Sequence, residues 1–320
     1  MDIRSIPELF GLPAAEYFAE LTAGHINRTY AVVCGGEKYV LQSLNSSVFR
    51  APCAVMDNIE RVMAAFAGAD CDVAVPHFIA AGDKIHAAAE GEVWRMYRYI
   101  TAAADAAASP AAAGRAFGSF IRMMDGRELC GTPAIEGFHD FERYCGELEA
   151  AGGADREFTS ELDRLRDGMR QVFGSGLEKR IIHGDAKPDN VIMGSRPTII
   201  DLDTVMYGYA ALDYGDLIRS VCGGGEPDLS VIRSATKGFA EGTEGLLTAE
   251  EVGSLYHGIL WITGELAVRY LTDSLREKKY FKGKSSDDCL SRANELMEQL
   301  KAFRALGGEI KEIICSELLC

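Results

Sequence analysis

Residues 181 to 204 read IIHGDAKPDNVIMGSRPTIIDLDT and hold a set of polar groups spaced for one kind of chemistry. An apolar run enters His183-Gly184-Asp185, Asn190 follows, and a second apolar run with a Gly-Ser-Arg-Pro turn leads through Ile199-Ile200 to Asp201. Transfer of a phosphoryl group requires a hydroxyl held in line with the phosphorus and an opposing charge for the phosphate oxygens. Asp185 is the group to accept the hydroxyl proton, with Lys187 beside the group in transfer. Asn190 and Asp201 offer one neutral and one anionic oxygen, hard ligands that suit Mg2+, which keeps water and phosphate in its other positions. Gly-Asp and Pro-Asp-Asn are also ordinary turn formers, and a carboxylate can simply close a strand. The signal lies in the ordered set, with apolar strands between its members.

Strands and helices must hold these residues in place. Thr29–Cys34 and Lys38–Ser43 are β-rich runs joined by Gly35-Gly36, a hairpin signal. A short helix is expected within residues 5–20, a longer one over Ala51–Phe66, and further strands at Val73–Pro76 and Val93–Ile100. Residues 101–113, TAAADAAASPAAA, are the only low-complexity stretch and read as a linker. Beyond it, apolar residues at 117, 120, 121 and 124 mark one helical face. Helices are also expected over Phe138–Ala150, Phe158–Phe173, Leu255–Leu271 and Leu290–Leu306, with another starting near Asp213 and Asp216, where the helix dipole favours carboxylates. Asp203, two residues past Asp201, would share its side of an extended segment and so add a metal ligand, or else play a structural part. Trp261, Glu265 and Arg269 recur every four residues and share a face. That face reads either as a salt bridge beside a core Trp or as an aromatic and cationic wall for a polar ring.

Composition narrows the partners. The 320 residues carry 33 Lys and Arg against 48 Asp and Glu, a formal charge of −15 that repels nucleic acid and anionic membrane surfaces. No window approaches the apolar length needed to span a bilayer, and the first residues lack a basic segment followed by an apolar core. Nine scattered cysteines without a Cys-x2-Cys pair read as reduced thiols. A cytoplasmic protein is expected.

At the 183–201 motif the chain resembles the aminoglycoside phosphotransferase and choline kinase superfamily of small-molecule kinases. It is more closely similar to the N-acetylhexosamine 1-kinases through Asp201-Leu-Asp-Thr-Val-Met206 and Asp213-Tyr-Gly-Asp-Leu-Ile-Arg219. Gly24-His-Ile-Asn-Arg-Thr29, Tyr39-Val-Leu-Gln42 and Val48-Phe49 near the start, and Arg269-Tyr-Leu-Thr-Asp273 with Tyr280-Phe281 near the end, extend the likeness over nearly the whole chain. The resemblance implies an α+β, bilobal, protein-kinase-like fold: a small antiparallel-sheet lobe over residues 1–100 for nucleotide, and a larger, mainly helical lobe over 101–320 for catalysis and acceptor. It implies ATP and Mg2+, with Gly24, His25 and Asn27 in the phosphate loop and Met96, Tyr97 and Tyr99 in the crossover that lines the adenine pocket. Arg269 and Tyr280 fall at acceptor positions, beside Asp185.

One departure is plain. Where a kinase-type third strand carries Lys for the α- and β-phosphates, this chain has Gln42, which donates hydrogen bonds without charge and cannot pair with a helix carboxylate such as Asp57 or Glu60. Three functions remain open: a kinase for the anomeric hydroxyl of a free N-acetylhexosamine, a phosphotransferase for an aminoglycoside, choline or another small alcohol, and a nucleotide-binding pseudokinase regulator. Residues 269–284 hold six Lys and Arg against two acids, which disfavours a polycationic acceptor. The complete Asp185, Asn190 and Asp201 set disfavours the regulator.

Overall fold

The Gly35-Gly36 dipeptide takes positive φ at both residues, 59° and 79°. This is the geometry of a two-residue hairpin turn, whose twist matches that of the strands it joins. In this computed structural model, which describes residues 2–21, 26–103, 107–174, 176–277, 280–281 and 283–319, the turn joins the second and third strands of a five-stranded antiparallel sheet. The strands are β1 (Tyr17–Leu21), β2 (Arg28–Cys34), β3 (Glu37–Ser43), β4 (Ala87–Ala89) and β5 (Glu92–Arg98), in the order β1-β2-β3-β5-β4. Helix α1 (Pro52–Phe66) lies between β3 and β4 in sequence and buries Val55, Met56, Ile59 and Val62, one helical stripe.

Strand alternation decides what each face of this sheet carries. Tyr30, Val32, Tyr39, Leu41, Trp94 and Met96 form a core with Ile6 and Phe10 of a short 3-10 helix at Ile3–Phe10. The alternate positions Gln42 and Arg95 are directly paired across β3 and β5. The strand expected at Val73–Pro76 is instead a single bridge from Ala74 to Thr198, because Pro76 has no N–H to extend a ladder. The run of alanines that forms β4 has little strand propensity and gave no signal.

By internal contacts the chain divides into two compact units. The sheet and α1 belong to the first, with residues 126–136 and 192–206. The second comprises 107–125, 137–191 and 207–320. Its helices are α2 (Pro110–Met124), α3 (Phe141–Ala151), α4 (Arg156–Phe173), α5 (Ala210–Cys222), α6 (Leu229–Thr243), α7 (Ala249–Leu275), α8 (Ser286–Ala305) and α9 (Gly307–Leu318). Short strands β6 (Arg180–Ile182), β7 (Val191–Ile192), β8 (Thr198–Ile199) and β9 (Met206–Gly208) flank the polar motif. The fold is α+β and protein-kinase-like, an antiparallel N-terminal sheet followed by a mainly helical remainder. No described helix is long and apolar enough to cross a membrane.

Caps explain where the helices start. Ser109, Asp140 and Asp155 each accept a backbone N–H of the first turn of α2, α3 and α4. Capping boxes at Thr248/Glu251 and Ser285/Asp288 start α7 and α8 earlier than apolar spacing alone predicts. Helices α2 and α6 meet along glycines, and a Cβ at Gly238 would stand 2.0 Å from the Ala111 carbonyl oxygen. Backbone cannot yield as a flexible side chain does, so Gly238→Ala should destabilise by about 1–3 kcal/mol, although alanine is the better helix former by roughly 1 kcal/mol. Gly253 of α7 is exposed with nothing within 4 Å of its would-be Cβ, and Gly253→Ala should stabilise slightly. Urea midpoints check both, and a stable Gly238→Ala variant would show that the helices separate at little cost.

Candidate active site

In the helical unit, buried β6 delivers the chain to His183. The first turn of α5 then fixes the loop: Asp213 accepts the backbone N–H groups of His183 at 2.7 Å and Gly184 at 2.8 Å. Burial pushes the Asp213 carboxyl up, against the pull of His183 and these two donors. Gly184 sits at φ +80°, where a side chain would be strained. The His183 ring is buried edge-on to Phe117 and Phe120 of α2, at 5.3 and 5.6 Å between centroids.

Asp185 follows directly. Its Oδ2 accepts from Lys187 Nζ at 2.7 Å and from Asn190 Nδ2 at 2.9 Å. A 3-10 turn at Pro188–Asn190 brings Asn190 back, so that its Nδ2 also donates to the Asp185 carbonyl at 2.8 Å. Burial opposes ionisation, but Lys187, His183 and Asn190 together hold the Asp185 carboxyl below its usual range. The group is therefore a carboxylate at neutral pH, able to accept a proton.

A second cluster in the same unit surrounds Arg269. Its guanidinium carbon lies 4.8 Å from the ring centre of Tyr280, 5.1 Å from Tyr144, 5.6 Å from Phe281 and 5.7 Å from Phe138, all cation–π distances. Glu265 pairs with Arg269 at 3.5 Å and with His139 Nδ1 at 3.2 Å. His139 Nε2 lies 2.9 Å from the Gly184 carbonyl oxygen. Trp261, a turn before Glu265, packs instead against Phe173 and Tyr209. His139, Phe138 and Tyr144 carried no signal in the sequence: a lone His before a helix cap and two loop or helix aromatics look like packing residues.

In the sheet unit, Asp201 ends the β8 segment with φ 60° and ψ 54°, a left-handed conformation that Asp tolerates better than most residues. The extended path expected from Asp201 to Asp203 is replaced by this turn and a 3-10 helix at Leu202–Thr204. Asp203 is consequently turned into the core, 2% exposed, where Arg95 donates to both oxygens and Asn27 Nδ2 donates to Oδ2 at 2.6 Å. Arg95 Nε in turn donates to Gln42 Oε1 at 2.9 Å, and Gln42 Nε2 donates to Thr29 Oγ1 at 3.1 Å. The cation absent from β3 thus stands one strand over, on β5.

The remaining expected nucleotide residues lie in the same unit. Asn27 Oδ1 accepts the Asn45 N–H at 3.0 Å, while Gly24 and His25 lie outside the described residues. The Met96 side chain is buried in the sheet core and its carbonyl accepts the Ile79 N–H at 2.7 Å. Burial raises the Tyr97 hydroxyl to about 12, and its ring meets Phe78 edge-on. Tyr99 is 44% exposed. Asp57 and Glu60 of α1, deprived of a β3 lysine, pair with Lys84 at 3.5 Å and with the Ile85 N–H at 3.3 Å.

A family model described as the phosphotransferase enzyme family matches residues 18–245, well over half of the chain. The chain belongs to this family. Among solved structures, this phosphotransferase is similar to a microcompartment-associated aminopropanol kinase, with 16% identity over 97% of this chain and 99% of that one and a TM-score of 0.73. An aminoglycoside 2'-phosphotransferase IIIa in its GDP complex is 18% identical over 95% and 97%, with a TM-score of 0.64. An aminoglycoside phosphotransferase from Alicyclobacillus acidocaldarius is 12% identical over 92% of each chain, with a TM-score of 0.60. The protein is an enzyme, a phosphotransferase with an alcohol group as acceptor.

The donor chemistry of the phosphotransferase can be tested against a magnesium ion. The Asn190 amide nitrogen is committed to Asp185, so the carbonyl oxygen is the end that it offers a ligand. Asp201, in the sheet unit, carries a carboxylate; each of the two residues by itself is a hard oxygen donor. Among the described residues there is no cluster of three or more His, Cys, Asp or Glu fit to hold a metal. Hard oxygen donors are the kind that Mg2+ takes, alongside water and substrate phosphate.

Proposed function

We propose that this phosphotransferase moves the γ-phosphoryl group of ATP, with Mg2+, onto the anomeric hydroxyl of a free N-acetylhexosamine. Arg269 is the observation that carries the acceptor assignment: a guanidinium among four aromatic rings, its side chain 13% exposed, whose neighbouring carboxylate Glu265 is already shared with His139. A wall of this kind offers an aromatic face for a sugar ring and donors for its oxygens. Among the described residues, the acid beside Arg269 is Glu265, and it is not left unshared for the amines of an aminoglycoside or choline.

In this reading Asp185 orients the acceptor hydroxyl and takes its proton as the oxygen attacks phosphorus, and Lys187 sits beside the group in transfer. Arg269 and Tyr280 hold the acceptor. Asn190 and Asp201 are the oxygen donors for magnesium, which when bound offsets the phosphate charge. Asp203, tied to Arg95 and Asn27, serves by fixing the turn that presents Asp201. Asn27 and Gln42 steady the nucleotide side, Gln42 through Arg95, and residues 96–99 contact the adenine.

A second reading, an amino-alcohol or aminoglycoside acceptor, is favoured by the likeness to the aminopropanol kinase. One experiment separates them: Mg-ATP with free hexosamines, aminoglycosides, aminopropanol and choline, followed by ADP release and phosphorus NMR of the product. A phosphate on the anomeric oxygen of N-acetylglucosamine or N-acetylgalactosamine is the expected result. Turnover confined to amine-bearing acceptors would overturn the sugar reading, and nucleotide binding without turnover on any acceptor would favour a regulator.

A further inference from the structure

The Gly184 peptide is held from two directions. Its N–H is bound by Asp213, and its carbonyl oxygen meets His139 Nε2 at 2.9 Å. The carbonyl has no hydrogen to give, so Nε2 must be protonated. On the other side of the ring, Nδ1 faces both Glu265 oxygens at 3.2 Å. A neutral imidazole has one N–H, so it satisfies one of these acceptors and turns a lone pair toward the other.

We propose that His139 is a cationic positioning residue that carries both ring protons and ties the peptide preceding Asp185 to the Glu265–Arg269 pair of the acceptor wall. The inference deepens the proposed function, because it links the wall that grips the acceptor to the carboxylate that activates it. The span is short and continuous: Arg269 to Glu265, Glu265 to His139, His139 to the Gly184 carbonyl, with Asp185 next in the chain.

The surroundings favour the charge. His139 is 8% exposed in its side chain and Glu265 2%. Burial works against the cation, but the Glu265 carboxylate, its hydrogen bond, the Gly184 carbonyl and the more distant Asp216 of α5 raise the His139 pKa on balance. Burial likewise works against the Glu265 anion, yet His139 and Arg269 hold that carboxyl below its usual range. The Phe138 ring lies 4.0 Å from the imidazole between centroids and leaves little room for water. His139 itself adopts φ +58°, an uncommon conformation for a side-chain-bearing residue, retained because both ring nitrogens are engaged.

The test combines spectroscopy with kinetics. In protein labelled with 15N-histidine, the His139 ring, identified among the six histidines by difference from His139→Gln, should show two protonated nitrogens at neutral pH without nucleotide or acceptor. His139→Ala should lower kcat about 10²-fold, the cost of a slightly misplaced base, with the Kd for ATP unchanged. His139→Gln, which keeps one donor for the Gly184 carbonyl, should recover part of the loss. A singly protonated His139, an unaltered kcat in His139→Ala, a parallel loss of ATP binding, or a Gln variant no better than Ala would each overturn the proposal. If His139→Ala does not fold, the Gln variant and the wild-type spectrum decide. Kinetics are read on whichever acceptor the wild type uses, so failure of the sugar assignment shows separately, as wild-type silence toward hexosamines.

Discussion

Asp185→Asn is expected to lower kcat by about 10²–10⁴-fold, the usual contribution of a positioned general base, while ATP binding survives. The change is nearly isosteric, and Asn190 Nδ2 keeps an oxygen to donate to. What disappears is the ability to take a proton, which matters as the hydroxyl attacks and little while substrates are merely bound. Lys187, 2.7 Å from the carboxylate, loses this ion pair, so ATP affinity should hold or rise. Calorimetry with a non-hydrolysable nucleotide and a coupled ADP assay give the two quantities separately. Normal turnover would remove Asp185 from the chemistry, and a matching collapse of binding and turnover would make it a structural residue instead.

Arg95→Met should be the most damaging change to stability, at about 3–5 kcal/mol, the cost of breaking a buried ion pair from one side. Arg95 and Asp203 are each about 2% exposed, so neither finds water when the other is removed. The substitution also deprives Gln42 Oε1 of the Arg95 donor, while Asn27 remains on Asp203. Methionine fills much of the volume, so the loss reflects stranded charge more than a cavity. Removing the charge as well, in Arg95→Met with Asp203→Leu, should recover most of the stability, since a well-packed apolar pair is often no worse than a buried salt bridge. Urea unfolding of the single and double variants checks this. A single-variant loss below about 1 kcal/mol, the range of exposed pairs, would mean that water reaches Asp203.

The polar loop was legible in the sequence because its members are adjacent: His183, Asp185 and Asn190 lie within eight residues, although Asp213 of α5 is what fixes the loop. The hairpin at Gly35-Gly36 was legible because glycine pairs have few other uses between β-rich runs. Arg95 was not, because its meaning depends on β5 lying beside β3 and placing it opposite Gln42, a register no local pattern announces. Read alone, Gln42 is a missing lysine; read with Arg95, it belongs to a polar pair that meets Asp203. For Asp203 the sequence left two roles open, metal ligand or structural part, and the left-handed turn at Asp201 breaks the extended geometry on which the first was argued. Helix α6 gives little signal in the sequence because its small residues, Gly238 and Gly242 among them, look like weak helix formers until α2 is packed against them.

The contact between Arg95 and Asp203 spans 108 residues of sequence, and the timing of synthesis follows from that. As the chain leaves the ribosome, residues 1–98 with all five strands emerge long before residue 203, so the Arg95 guanidinium is at first without its carboxylate. Closure of the Arg95–Asp203 contact therefore waits until α2, α3 and α4 have been translated. The sheet's buried ion pair to Asp203 is thus completed by a stretch of message more than a hundred codons downstream of Arg95.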